Sequence, residues 1–354
     1  MAQLDLYIAR LAARNYLLTN LLLLGLFCFF DIAVQMEDVG EGDYAIGQAL
    51  LFALCQIPRR LLDLTPFTVL LTSVLTLGGL SVHSELTAMR SFGLSPVRIT
   101  ASLLKAGVVL LAGLIVVGSF VAPALQQYAY QMRTAALAAS SGAGSTGLWA
   151  KAGQDIIHID RMMNGRIPTD IDILHFSAPN RLESFLHAER ADIMNSGEWR
   201  LQQVTRKIFT DSGERVERLP KMIWQPSLTE RQLDILDQPA ASLSPVDLVR
   251  YIRYLHSQGQ NALRFSLALW QKLVMPLLAA AMIFLSAPLV FRPGRTANLG
   301  MRVAISAGIG LAIYALTQFA ANLTLLFQLN PALLTLTPAA VLLLLAVDWL
   351  RRIA

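Results

Sequence analysis

The sequence predicts an α-helical membrane protein with six transmembrane helices and an all-β, jelly-roll-like domain inserted between helices 3 and 4. Three observations predict it: a shortage of charge, six apolar runs of membrane length, and one charge-rich stretch of alternating segments. Of 354 residues, 55% are apolar and only 15% are charged, against roughly 25% charged in an average soluble domain. Residues 124–262 hold 15 basic and 15 acidic side chains, while the other 215 residues hold 14 and 9 and carry the whole net charge of +5. This division excludes a soluble enzyme, a disordered chain and a disulfide-stapled miniprotein. No basic cluster points to nucleic acid.

A hydrocarbon core of about 30 Å needs roughly 20 helical residues. The runs that qualify are approximately 15–35, 61–82, 97–121, 265–290, 301–324 and 333–350. The first is too long for a signal-peptide core and lacks a small-x-small cleavage site, so a retained anchor is expected. Arg10, Arg14, Arg90, Arg98, Lys105, Arg292, Arg295, Arg302, Arg351 and Arg352 then all fall on one side. By the positive-inside rule that side is cytoplasmic, with both termini. The acidic loop Glu37, Asp38, Glu41, Asp43 and the insert fall opposite, in the periplasm if the host is a bacterium. Cys28 and Cys55 lie in apolar runs and read as free thiols; no zinc spacing occurs.

Within the insert, Asp155–Asp160, Ile171–Phe176 and Trp199–Thr205 read as strands. Pro179-Asn180, Asn195-Ser196-Gly197 and Ser212-Gly213 read as turns. Ser140–Thr146 reads as a flexible link, and Val246, Val249, Ile252 and Leu255 restore helical spacing toward span 4. His158, His175, His187 and His256 match no HExxH or nucleophile-elbow pattern and read as surface or hydrogen-bonded strand histidines. A β domain without a catalytic set is more naturally a docking surface, whose sheet edge can accept another strand. The boundaries are therefore 1–123 for helices 1–3, 124–262 for the β domain with helical linkers, and 263–354 for helices 4–6.

Several polar groups sit where lipid is expected. Tyr44 to Val82 is too long for one span, and Pro58 and Pro66 are expected to kink or break it. Arg59 lies 23 residues before Val82, hence about 35 Å along a helix, which puts Arg59 and Arg60 at the outer headgroups. Paired guanidiniums there suit phosphate; the competing reading is snorkelling, with Asp63 paired one turn along. Lys272 reads as snorkelling outward. In span 5, Tyr314, Gln318 and Asn322 share one face, suited to a cavity or an inter-helix bond. Ala304, Gly308 and Ala312 share another, suited to close packing. The loop 83–98 contains a short amphipathic helix. Ser84 is its expected cap, Gly93 its stop, Leu86 and Met89 its apolar face, with Glu85 and Arg90 flanking. It suits a partner's groove or the membrane surface. The chain contains no GxxxxGK[ST], so any ATP hydrolysis belongs to another subunit.

Taken together, LDLYIAR (4–10), IPRRLLDLTP (57–66), HSELTAMRSFGLSPVRI (83–99), VAP (121–123), GLWAKAG (147–153) and LSPVDLVRYIRYLHSQGQNALRFSLALWQKLVMP (243–276) resemble the lipopolysaccharide export permeases of the LptF/LptG type, over essentially the whole chain. The GLW-x-K-x-G segment is closer to the LptG branch. The resemblance implies a permease subunit of an ABC transporter in the inner membrane of a Gram-negative bacterium, not an enzyme. It implies extraction of lipopolysaccharide from the outer leaflet and delivery to a periplasmic bridge. The implied partners are an LptF paralogue, an LptB ATPase dimer, LptC and LptA. ATP and Mg belong to the ATPase, and no cofactor is expected on this chain. Spans 1, 2 and 5 of the two permeases are expected to enclose the lipid cavity. By the same resemblance, Ser84, Glu85, Leu86, Met89, Arg90 and Gly93 form the ATPase coupling loop, with Glu85 as coupling carboxylate. Arg59, Arg60, Arg302 and Gln318 are the expected substrate-binding residues. The chain departs from its relatives in carrying Asp31, Glu37 and Asp38 where they carry lysines. An exporter subunit for another lipid or a lipoprotein would share this topology.

Overall fold

The computed structural model of the chain describes residues 2–138, 148–152, 154–163, 167–178, 181–194, 198–210, 213–224, 240–257, 259–291 and 298–352. The link 140–146, the turns at 179–180 and 195–197, and Arg292 and Arg295 lie outside these residues.

The first helix, α1 (Ala2–Gln35), starts well before the expected residue 15 because its N-terminal turns are amphipathic. Ile8 and Ala12 are buried, and Leu4 and Leu11 pack beside them on the bundle core. A 3-10 turn, Met36–Asp38, leads to α2 (Ile46–Val82). That helix runs unbroken through Pro58 and Pro66, so neither proline breaks the span as expected. Each proline removes one helical donor, a loss tolerated where neighbouring helices enclose the backbone. Enclosure is what α2 has: 67% of its most apolar window is buried, against 11% for α1.

The short α3 (Glu85–Ser91) follows, and then α4 (Pro96–Val116). Ser95 caps α4, its Oγ accepting the Arg98 amide at 3.3 Å, and Pro96 takes the first-turn position where a missing N–H is harmless. A π turn, Val117–Val121, joins α4 to α5 (Ala122–Ala138), so the third span continues past residue 121. After the β domain come α6 (Pro245–Ser257), α7 (Leu263–Phe291), α8 (Leu299–Phe327) and α9 (Pro331–Arg351). Among the described residues, six helices are long and apolar enough to cross a membrane, as the composition predicts.

Leu70, Val74, Leu77 and Leu80 of α2 form the middle of the bundle core, with Ile99, Leu103, Met282 and Ile283 around them. Gly107 permits the α4–α7 contact: a Cβ there would lie 2.6 Å from the Ile283 Cδ1. The small-residue face of α8 makes no close packing within this chain. Ala304, Gly308 and Ala312 of α8 are exposed; the helix packs instead through Ser306, Gly310 and Ile313.

The insert is all-β, as expected. Its strands are β1 (Leu148–Ala152), β2 (Asp155–Met163), β3 (Ile167–Ala178), β4 (Arg181–Ile193), β5 (Trp199–Thr210) and β6 (Gly213–Trp224). Among the described residues they form one antiparallel sheet in sequential order, a meander without the crossed connections of an interleaved jelly roll. Across five strands the pairing skips one row: Asp160, Asp170, Glu189, Gln203 and Pro220. Asp170 and Gln203 are left-handed there, at φ 52° and 54°. Beyond the row the buried positions step by three instead of two, from Ala188 to Ala191 and from Val204 to Leu201. The sheet is thus creased, and both halves turn apolar residues into one core that also takes Tyr254 of α6.

Candidate functional site

At the end of the bundle nearest the β domain, α2 carries both arginines. Arg59 Nε donates to Asp63 Oδ2 at 3.3 Å, the one-turn pair that competed with phosphate contact. Arg60 reaches across to α1, donating from Nε and Nη2 to the two Asp31 oxygens at 2.9 and 2.5 Å. Its guanidinium also lies 5.8 Å from the Phe27 ring. A planar fork matched to a carboxylate in this way is the strong form of an ion pair. Asp31, one of the acidic residues that set this chain apart, therefore occupies the guanidinium of Arg60. Asp38 is likewise bound, accepting from Arg133 Nη2 at 2.6 Å.

Beside Arg59 lies a cavity of about 390 Å³. Arg59, Asp63, Gln126, Gln271, Lys272 and Gln318 give it a polar rim, and Pro66, Phe67, Leu278, Met282 and Ile313 an apolar interior. Spans 2 and 5 contribute as expected. Span 1 lines none of it within a single chain, and the remaining walls come from spans 3, 4 and 6 and from Ala241, Ser242 and Pro245 beside the β domain. The π turn shapes one wall: Gly118 faces Leu62 so closely that a Cβ would meet Leu62 Cδ1 at 2.8 Å. Gln318 donates to the Tyr314 hydroxyl at 3.1 Å, so the polar face of span 5 both bonds to itself and borders the cavity.

Lys272 has a definite partner. Its Nζ donates to the Leu243 carbonyl at 2.5 Å, in the linker between the β domain and α6. It thus reaches outward along span 4, as snorkelling predicts, but ends on backbone at the domain junction. There Ser244 caps α6, its Oγ accepting the Asp247 amide at 3.1 Å. Tyr251 packs between Tyr254 and Phe265, and burial pushes its hydroxyl up to about 12.

The opposite end holds α3. Ser84 takes the cap position but at φ 59°, with no capping bond from its side chain, so that expectation is corrected. Gly93 stops the helix as expected, at φ 83°, through bonds from the Gly93 amide to Arg90 O (2.9 Å) and the Leu94 amide to Met89 O (3.1 Å). Leu86 is buried in the bundle core and Met89 packs against it, so these two seat α3 on its own chain instead of offering an apolar face. Arg90 and Phe92 are exposed, and Glu85 is half-buried, accepting the Tyr7 hydroxyl at 2.9 Å. Asp5 binds α4 nearby, through Ser102 at 2.5 Å and Lys105 at 3.1 Å.

Arg302 belongs to this end too. Its Nη1 donates to Ser81 Oγ at 3.4 Å, one residue from the terminus of α2 and about 33 Å of helix from Arg59. The structure therefore separates Arg302 from the cavity and from Arg59, Arg60 and Gln318. In the β domain, the histidines are paired with carboxylates as expected of hydrogen-bonded strand residues: His175 with Asp155 at 2.5 Å, His187 with Asp172 at 2.7 Å. Among the described residues no group of His, Cys, Asp and Glu could hold a metal ion, and both cysteines are free thiols. The Arg60–Asp31 and Glu85–Tyr7 pairs join residues 29 and 78 positions apart, so no local spacing announces them.

Comparison with known proteins agrees with this architecture. The chain is 29% identical over 340 residues to the lipopolysaccharide export system permease protein LptG of Escherichia coli K12, covering 95% of this chain and 94% of that protein. It is 28% identical over 350 residues to LptG of Haemophilus influenzae, covering 98% and 97%. A family model described as the lipopolysaccharide export system permease LptF/LptG matches residues 6–352. With six spans, the β insert and a match over nearly its whole length, the chain belongs to the LptF/LptG permease family.

Proposed function

We propose that this chain is the permease subunit that takes lipopolysaccharide from the outer leaflet of the bacterial inner membrane and passes it toward a periplasmic bridge. The observation that carries the reading is the cavity beside Arg59 and Lys272: polar groups, among them two cations and Asp63, together with an apolar lining. Lipopolysaccharide is an anionic amphiphile, with phosphates for such cations and acyl chains for such a lining. Each methylene moved from water into an apolar site is worth about 0.8 kcal/mol, so expelling the lipid needs an external energy source. The chain has no nucleotide-binding loop of its own. In this reading an LptB-type ATPase dimer docks at α3 and supplies that energy, with Mg and ATP bound by that partner. An LptF-type paralogue completes the cavity, LptC attends it, and LptA continues the β path.

Orientation follows the same logic. The end with Arg10, Arg14, Arg90, Arg98, Lys105 and Arg302 is cytoplasmic by the positive-inside rule, with both termini, and the β domain lies in the periplasm. Strand β6, at one edge of the described sheet, is solvent-exposed along most of its length and supports a role in handing the lipid on.

The test is purification in mild detergent with mass spectrometry of protein and lipid. Recovery of a paralogous permease, an ATPase and stoichiometric lipopolysaccharide is expected. An ATPase with a different bound lipid would keep the architecture and replace the substrate. Recovery of the chain with neither would overturn the reading.

A further inference from the structure

Span 1 is held differently from the rest of the bundle. Most of α1 is exposed, with Leu17, Leu18, Leu21, Leu22 and Phe29 all more than half accessible. Its polar tertiary bonds gather near its two ends. Near the N-terminus, Asp5 binds Ser102 and Lys105 of α4, and Tyr7 binds Glu85 of α3. Near the C-terminus, Asp31 binds Arg60 of α2. Between them the helix makes one side-chain bond to α2, from Asn15 to Thr76 at 3.0 Å. A helix of 34 residues is about 51 Å long, and its inner face is seated on the bundle core through Ile8, Ala12 and Tyr16.

Glu85 has a half-buried carboxylate in the first turn of α3, where the helix dipole favours negative charge. The Tyr7 hydroxyl donates to Oε2 and leaves Oε1 for another donor. A tyrosine is suited to this work: its ring is rigid, and its hydroxyl reaches far from the helix that carries it.

We propose that Tyr7 is a positioning residue for Glu85, holding the carboxylate in its docking rotamer and tying α3 to span 1. Movement of α3 is thereby transmitted to the helix whose far end contacts Arg60. The inference rests on the reading of α3 as the ATPase coupling helix, and it adds a residue and a direction of transmission to that reading.

The test uses the purified permease–ATPase complex in proteoliposomes, with lipopolysaccharide released per ATP hydrolysed as the readout. Tyr7→Phe keeps the ring and removes the hydroxyl. It is expected to lower the ratio roughly fivefold, a hydrogen bond to a charged acceptor at a half-exposed site. Glu85→Ala, which removes the acceptor, lowers it further, and Tyr7→Phe added to Glu85→Ala has no extra effect, because one residue acts through the other. Hydrogen exchange at residues 84–93 gives a second measurement, expected to accelerate in Tyr7→Phe. A wild-type ratio in Tyr7→Phe overturns the proposal, as do multiplicative losses in the double variant or unchanged exchange should the variant assemble poorly. If the unaltered complex hydrolyses ATP but releases no lipopolysaccharide, the permease reading itself falls. Normal release with no effect of Tyr7→Phe removes the Tyr7 proposal alone.

Discussion

Replacing Asp31 by Asn separates two roles of Arg60 that would otherwise be confused. The pair consists of two charge-assisted bonds, at 2.9 and 2.5 Å, with Asp31 at 16% and Arg60 at 40% side-chain exposure. Hydrogen bonds to charged groups are worth about 1.5–3 kcal/mol when well buried. The exposure of Arg60 calls for a discount toward the surface value of about 0.2–1 kcal/mol. A net contribution of about 1–2 kcal/mol follows, and Asp31→Asn should lower stability by that amount in detergent unfolding. A phosphate that engages Arg60 must first displace Asp31, at the same cost. Removing the carboxylate therefore should tighten binding of an anionic lipid by about 5- to 30-fold, at 1.4 kcal/mol per tenfold. The assay is titration of the purified complex with lipopolysaccharide at fixed ionic strength, beside a thermal scan of the same sample. Stability and affinity must move in opposite directions. If both fall together, Arg60 is a structural partner of span 1 and makes no phosphate contact.

Lys272→Met removes the ammonium and leaves the Leu243 carbonyl without its donor. It should weaken anion binding about tenfold and raise hydrogen exchange at 243–247; unchanged binding would take Lys272 out of the rim. Leu86→Ala removes the buried anchor of α3 and should cost about 2–5 kcal/mol, with loss of ATPase co-purification as the functional check. Gly118→Ala places a Cβ against the Leu62 methyls, which must rotate away; the expected loss is at most about 1 kcal/mol, and a drop of several kcal/mol in the unfolding free energy would show that Leu62 cannot give. Burial keeps Tyr251 protonated, raising its pKa to about 12 from the ordinary tyrosine value of about 10. Its contribution is complete below pH 10, the unfolded value, and is lost as pH rises through the folded one, so alkaline unfolding should shift to higher pH in Tyr251→Phe.

The sequence made the membrane architecture legible because composition and run length report burial in lipid directly. The helix stop at Gly93 was readable for a similar reason: its left-handed conformation is a local demand on one residue. The Arg59–Asp63 pair was readable as one turn of helix. The pairings that give the site its character were not. Asp31–Arg60, Tyr7–Glu85 and Lys272–Leu243 join separate elements, and nothing in the local pattern ranks one such partner above another. Leu86 and Met89 show the opposite limit. Their helical spacing was plain, yet an apolar face does not say whether it meets its own bundle or a partner. Arg302 bonds to Ser81 at the opposite end of α2 from Arg59, a separation that its place among the cytoplasmic-side charges already implied.

Strands β1, β4 and β6 of the insert lie outside the segments read from the sequence. In β4 the three-residue step from Ala188 to Ala191 breaks the two-residue alternation that identifies a half-buried strand, whereas β5 was legible from Trp199 despite the same step. In β6 an outer edge rich in Glu214, Arg215, Glu217 and Arg218 masks the alternation. Charge at such an edge discourages uncontrolled pairing with other chains.

The crease also acts as a registration mark. A strand slipping by one residue normally trades its two faces while keeping its hydrogen bonds. Here a slip in β3, β4 or β5 would carry the skipped residue out of its row and bring a paired one into it. The left-handed residues Asp170 and Gln203 would then fall beside neighbours that are still extended. In β6, Pro220, which has no amide hydrogen, would move from the skipped row to a paired position. Five strands thus share a single reference line, and a shift of any one is penalised by its neighbours as well as by itself.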